Sequence, residues 1–101
     1  MDIKQLTEEM HHLVRSKGWY EADSKRPQTP RNLAISLSLE AAEILEHFQF
    51  QETAKDKQEL ASELADVALY LLQLASVTEI DLEKAVLDKI EINKTREWDQ
   101  S

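Results

Sequence analysis

The sequence predicts an all-α fold, an antiparallel bundle of about four helices per chain completed by self-association. Three observations carry this. The 101 residues contain one Gly, two Pro and no Cys, too few breakers for a turn-rich β fold and no material for a disulfide framework. Two long stretches, Leu33–Phe48 and Leu60–Val77, have helical spacing of apolar residues and no Pro or Gly inside. Both are apolar nearly all round, so each requires burial on several sides, more than a chain this short can provide.

The first helix is expected over Asp2–Lys17. Ile3, Leu6, Met10, Leu13 and Val14 recur at helical intervals, Asp2 suits the N-cap and Gly18 the C-terminal cap. His11 and His12 read as surface residues of this amphipathic helix. Residues 17–30, with the polar run EADSKRPQTP, form a loop long enough to be functional, here assigned as a candidate lid. Pro30 can open the second helix. On it Leu33, Leu37, Ile44 and Phe48 make one stripe, and Glu40 lies at its edge. Residues 52–57 (ETAKDK) are the polar break before the third helix, roughly Asp56–Val77. Its main stripe is Leu60, Leu64, Val67, Leu71 and Leu74, beside a line of Glu59, Glu63, Asp66 and Tyr70. After a turn at Thr78–Asp81, the fourth helix runs from Leu82 to about Glu97, with Leu82, Val86 and Ile90 as its inner stripe and Asn93 continuing it. The chain reads as one domain, 1–101.

Charge narrows the function classes. A formal net charge of −8 disfavours a nucleic-acid polymer as partner, since phosphate binding relies on Lys and Arg. The N-terminus shows no basic-then-apolar signal, and the longest apolar run, Val67–Val77, is short for a bilayer. No membrane association and a cytoplasmic location are the resulting expectations.

The chemistry concentrates in Glu40-Ala41-Ala42-Glu43 and Glu63-Leu64-Ala65-Asp66. Residues three apart share a helix face, so each signature offers two adjacent carboxylates. Positions 40 and 66 average to 53, as do 43 and 63, inside the polar break. A turn there brings the pairs to the same height, roughly 12–20 Å along each helix at ~1.5 Å per residue. Four carboxylates in an apolar setting repel one another and invite a cation. Oxygen donors select a hard ion, Mg²⁺ or Mn²⁺, and such ions serve phosphate chemistry. Lys89, Asn93 and Arg96 fit two roles, as phosphate ligands or as ion-pair partners of the acids. Trp19, Phe50 and Tyr70 can wall in a base, or simply pack. A single ExxE is most often a solvated helix face; two mirrored ones bounded by apolar residues are less often so. His47 follows Glu43 by four and Glu40 by seven, within reach of the site edge, although packing or solvent contact is its simpler role; Glu46 and Glu59 read as exposed. The competing class is a non-catalytic oligomeric helical module that binds a nucleotide or a partner protein.

These residues resemble the MazG-like all-α nucleoside triphosphate pyrophosphohydrolases, whose signature is EExxE, a spacer and ExxD. Here Leu39 replaces the first Glu of the opening pair, and 19 residues separate Glu43 from Glu63. Pro30-Arg31-Asn32-Leu33, the FQF at 48–50, ELADVALYLL and KxxxNxxR at Lys89–Arg96 are similar to the short branch that includes the dCTP pyrophosphatases. Position 50 is often Trp in that branch and is Phe here, and a His upstream of PRNL is Gln28 or Thr29. The resemblance implies Mg²⁺-dependent cleavage of a (d)NTP to (d)NMP and pyrophosphate, as nucleotide-pool house-cleaning. It places Glu40, Glu43, Glu63 and Asp66 on the metal as catalytic residues, and Lys89, Asn93 and Arg96 on the phosphates. Trp19, Asn32, Phe50 and Tyr70 would line the nucleoside pocket. It also implies a homodimer or homotetramer.

Overall fold

The computed structural model of the chain describes residues 1–96. The expected extension of the last helix to Glu97 and the Trp98 tail lie outside the described residues. Four α-helices and no strand are found among them: α1 Ile3–Ser16, α2 Pro30–Leu45, α3 Lys57–Val77 and α4 Leu82–Thr95. A short 3-10 turn, Glu46–Phe48, extends α2.

Each boundary has a local cause. The Asp2 carboxylate accepts the Gln5 N–H at 2.8 Å, and the Gln5 side-chain carbonyl accepts the Asp2 N–H at 2.9 Å, a closed capping box. Gly18 ends α1 with φ +70, and Trp19 N–H donates back to the Val14 carbonyl at 3.2 Å. Thr29 caps α2 ahead of Pro30, Asp56 caps α3 and Asp81 caps α4. The turn after α3 has the same left-handed geometry as that after α1. Ile80 N–H reaches the Ala75 carbonyl at 2.8 Å, but the residue in the left-handed position is Glu79, with φ +61.

α2 and α3 form the main antiparallel pair, and α1 packs across α3. The apolar core is small: Met10 and Val14 from α1, Leu33 from α2, Leu72 and Ala75 from α3. α3 is long and apolar enough to cross a membrane by length and composition, longer than the Val67–Val77 run implies. It carries Glu63 and Asp66 in its interior and contacts both α1 and α2.

A buried polar seam joins α1, the 17–29 loop and α3. The Gln73 side-chain amide, 3% exposed, donates to Gln28 Oε1 at 2.8 Å and to the Tyr20 hydroxyl at 3.3 Å. The Tyr20 hydroxyl lies 2.6 Å from His11 Nδ1, and His11 Nε2 lies 2.7 Å from Ser76 Oγ. Burial, then the Arg15 charge, lowers the His11 pKa and favours the neutral imidazole, in which one ring nitrogen donates and the other accepts. His11 is therefore a bridge rather than the surface residue that its amphipathic helix implied.

α4 is the exception to compactness. It packs sparsely, mainly on α3, and its Val86, Leu87, Ile90 and Ile92 are exposed. Of the expected inner stripe, Leu82 and Asn93 are partly buried, while nothing among the described residues covers Val86 and Ile90. The same holds on α2 for Leu39 (63% exposed) and Leu45 (67%) and on α3 for Leu64 and Leu71. The radius of gyration is 16.3 Å, against about 13 Å for a compact chain of ~100 residues.

The strained turn yields a stability test. An L-residue in the left-handed region costs ~1–2 kcal/mol, part of which Gly gives back as unfolded-chain entropy. Glu79→Gly is expected to stabilise the chain by about 1 kcal/mol, raising Tm by about 4–8 °C in thermal denaturation, whereas Glu79→Ala leaves it nearly unchanged.

Candidate active site

The α2–α3 pairing brings the two acidic signatures together in the register their spacing predicts. Glu40 and Asp66 line one cavity of about 210 Å³, with Met10, Leu13, Val14, Leu69, Tyr70 and Gln73. Glu43 and Glu63 line a second cavity of about 320 Å³, with Glu46, His47, Lys55 and Glu59. The mirrored pairs thus occupy successive rungs, and Glu46 and Glu59 make a third. The first cavity is half apolar and lies against α1. The second is strongly acidic, with Lys55 as the one cation on its lining.

Glu40 registers the electrostatics. Its carboxyl is held above the ordinary carboxylate range, first by burial and then by the negative charges of Glu43, Asp66 and Glu63. All four acids therefore share one field. They do not clasp a point: among the described residues, no three Asp, Glu or His side chains are drawn tightly enough together to hold an ion. The donor set is nevertheless suited to a hard divalent cation, because it is all carboxylate oxygen and three of its members disfavour the charged form of the fourth, Glu40.

The remaining expected residues are more scattered. Tyr70 lines the Glu40–Asp66 cavity. Trp19 is half-buried in the loop, with the Arg26 guanidinium 4.6 Å from its ring centroid, a cation–π stack. The Asn32 side-chain amide donates to the Pro27 carbonyl at 3.0 Å and closes the same loop. Phe50 is 84% exposed. Lys89 and Asn93 lie on the loosely packed α4, and Lys89 forms no ion pair with any of the four acids. The Asn93 Oδ1 is buried with no hydrogen-bond partner. Arg96 ends the described chain as the C-cap of α4.

Two residues beside the acids carry more than the sequence reading assigned them. His47 is 6% exposed, and its Nε2 lies 2.8 Å from Glu63 Oε2. Its spacing from Glu40 and Glu43 was the available signal. Gln73 follows Asp66 by seven and Tyr70 by three, so it extends the line of Glu63, Asp66 and Tyr70 into the first cavity.

Comparison with known proteins identifies the family and the fold. Residues 35–100 match the MazG-like family. The chain belongs to that family. This MazG-like chain is 35% identical over 85 residues to dCTP pyrophosphatase 1 of Rattus norvegicus, and as similar to that of Homo sapiens. Each alignment covers 75% of the chain and 50% of the relative, so the chain spans about half the length of those curated relatives. A crystal structure of a pyrophosphatase from Archaeoglobus fulgidus DSM 4304 superposes with a TM-score of 0.76 at 36% identity, covering 90% of this chain and 87% of the other. The all-α fold is thus a MazG-like fold.

The raised Glu40 pKa has a consequence for metal-free stability. The folded state binds its proton more tightly than the unfolded state does, so folding loses stability as pH rises from the ordinary carboxylate value through the folded one. Glu40→Gln is expected to melt higher than wild type at pH 7 without metal. That difference should shrink to nothing once the pH falls below the ordinary carboxylate value, as followed by circular dichroism in EDTA.

Proposed function

We propose that this chain is a divalent-metal-dependent nucleoside triphosphate pyrophosphohydrolase. The observation that carries the proposal is the electrostatic coupling of Glu40 to Glu43, Glu63 and Asp66 across the α2–α3 pair. Similarity to proteins named dCTP pyrophosphatase 1 and to a solved pyrophosphatase supports the substrate class. Glu40, Glu43, Glu63 and Asp66 hold the cation, Mg²⁺ or Mn²⁺, by oxygen ligation. Once bound, it neutralises phosphate oxygens and acidifies water. Water adds to the α-phosphorus and the bond to the α–β bridging oxygen breaks. The products are a nucleoside monophosphate, pyrophosphate and a proton. Tyr70 and the apolar wall of the Glu40–Asp66 cavity exclude bulk water from the nucleoside side.

Trp19, Asn32 and Phe50 for the nucleoside, and Lys89, Asn93 and Arg96 for the phosphates, belong to this reading in an assembled form of the protein. The exposed apolar residues of α2, α3 and α4 support a homodimer or homotetramer, because a soluble monomer rarely leaves that much apolar surface uncovered. A nucleotide-pool house-cleaning role follows from the reaction class. The competing reading makes the acids the structural partners of the α4 cations, and Lys89 offers no such pair.

The decisive assay supplies Mg²⁺ and a panel of (d)NTPs and detects pyrophosphate and orthophosphate separately. Pyrophosphate is the expected product, and Glu63→Gln is expected to reduce turnover by at least about 100-fold, the scale of losing a key transition-state electrostatic group, with helicity retained. Orthophosphate release, or no release from any (d)NTP, contradicts the proposal.

A further inference from the structure

We infer that His47 is a positioning residue for the metal site, orienting Glu63 through its Nε2–H. The inference rests on the metal-binding reading above and adds to it a residue outside the acidic signature. His47 sits in the 3-10 turn that follows α2, and Glu63 sits one helix across on α3, so the contact also ties the end of α2 to the acidic face of α3.

The geometry selects one arrangement. Nε2 and Glu63 Oε2 are 2.8 Å apart, the length of a charge-assisted hydrogen bond. An ionised carboxylate only accepts, so Nε2 must carry the proton. Nδ1 is also buried, with no partner among the described residues. A ring protonated on Nδ1 alone would set lone pairs of Nε2 and Oε2 against each other at 2.8 Å, so the hydrogen bond runs from Nε2–H to Glu63.

The pair is shielded: the His47 side chain is 7% exposed and that of Glu63 19%. Water competes poorly for a bond so enclosed, so the bond persists. It does two things for the cluster. It keeps the Glu63 carboxylate in place against repulsion from Glu43 on the facing helix. It also fixes which way the carboxylate faces, which makes Glu63 a ligand of defined orientation. Outer hydrogen bonds of this kind typically tune metal affinity by ~10–100-fold. A packing role alone would ask nothing of the Nε2 proton.

The test measures Mn²⁺ binding to the substrate-free protein by electron paramagnetic resonance of the free ion. His47→Leu keeps the volume and removes the donor; His47→Gln restores an N–H near the same place. The expected Kd is at least about 10-fold weaker in His47→Leu than in wild type, in the range typical of lost outer-sphere bonds, with most of the loss recovered in His47→Gln. Circular dichroism checks that both variants are folded. In wild type, ¹⁵N spectra of the ring should show a protonated Nε2, a readout that needs no variant. An unchanged Kd in folded His47→Leu, equal weakening in both variants, or an unprotonated Nε2 overturns the assignment while the proposed function stands. A wild type that binds no Mn²⁺ overturns the metal-binding reading, and this assignment with it.

Discussion

Everything distinctive about this fold depends on mutual repulsion among four carboxylates held on one antiparallel helix pair. α2 and α3 are joined by a polar break centred near residue 53, and their pairing sets Glu40 level with Asp66 and Glu43 level with Glu63. The contact of α2 with α3 is the most extensive between helices of the described residues and carries this register. The cost shows at Glu40, which resists ionisation because it is half-buried among three other negative charges. A site that is unfavourable alone and relieved by a divalent cation is prepared for binding, and the relief is available on binding rather than already used in folding.

The surrounding parts divide the work. α1 and the 17–29 loop close one side through the network of Gln73, Gln28, Tyr20, His11 and Ser76, whose members satisfy one another away from water. The network fixes Gln73, which lines the same cavity as Glu40, Asp66 and Tyr70. On the other side, His47 holds Glu63 while Lys55 stands among the outer acids. The two rungs of the cluster thus have different neighbours. One is walled by apolar side chains of α1, the other by charged groups at the α2–α3 turn.

Much of this was legible in the residues. The four helices, the caps at Asp2 and Asp81, and the mirrored acids follow from local rules of capping and periodicity. What escaped depends on contacts between distant segments. His11 looks like a surface residue of an amphipathic helix until Ser76, 65 positions away, meets its ring. His47 looks like packing until α3 brings Glu63 to it. The burial pattern of α3 also departs from its apolar stripe: Leu72 and Ala75 are buried, while Leu64 and Leu71 are exposed, on a face that neither α1 nor α2 covers. The loosely packed α4 is the same effect at larger scale, since a helix with an apolar face takes its place only where a second surface exists.

The central claim is that the four acids form a cation site rather than a set of ion-pair partners. Thermal denaturation of wild type and of the variant combining Glu40→Gln, Glu43→Gln, Glu63→Gln and Asp66→Asn, each with and without Mg²⁺, tests it most directly. The account predicts that the variant melts above wild type in EDTA, and that Mg²⁺ raises the midpoint of wild type alone, as binding to the native state requires. A variant that melts below wild type, with neither protein responding to Mg²⁺, would contradict it.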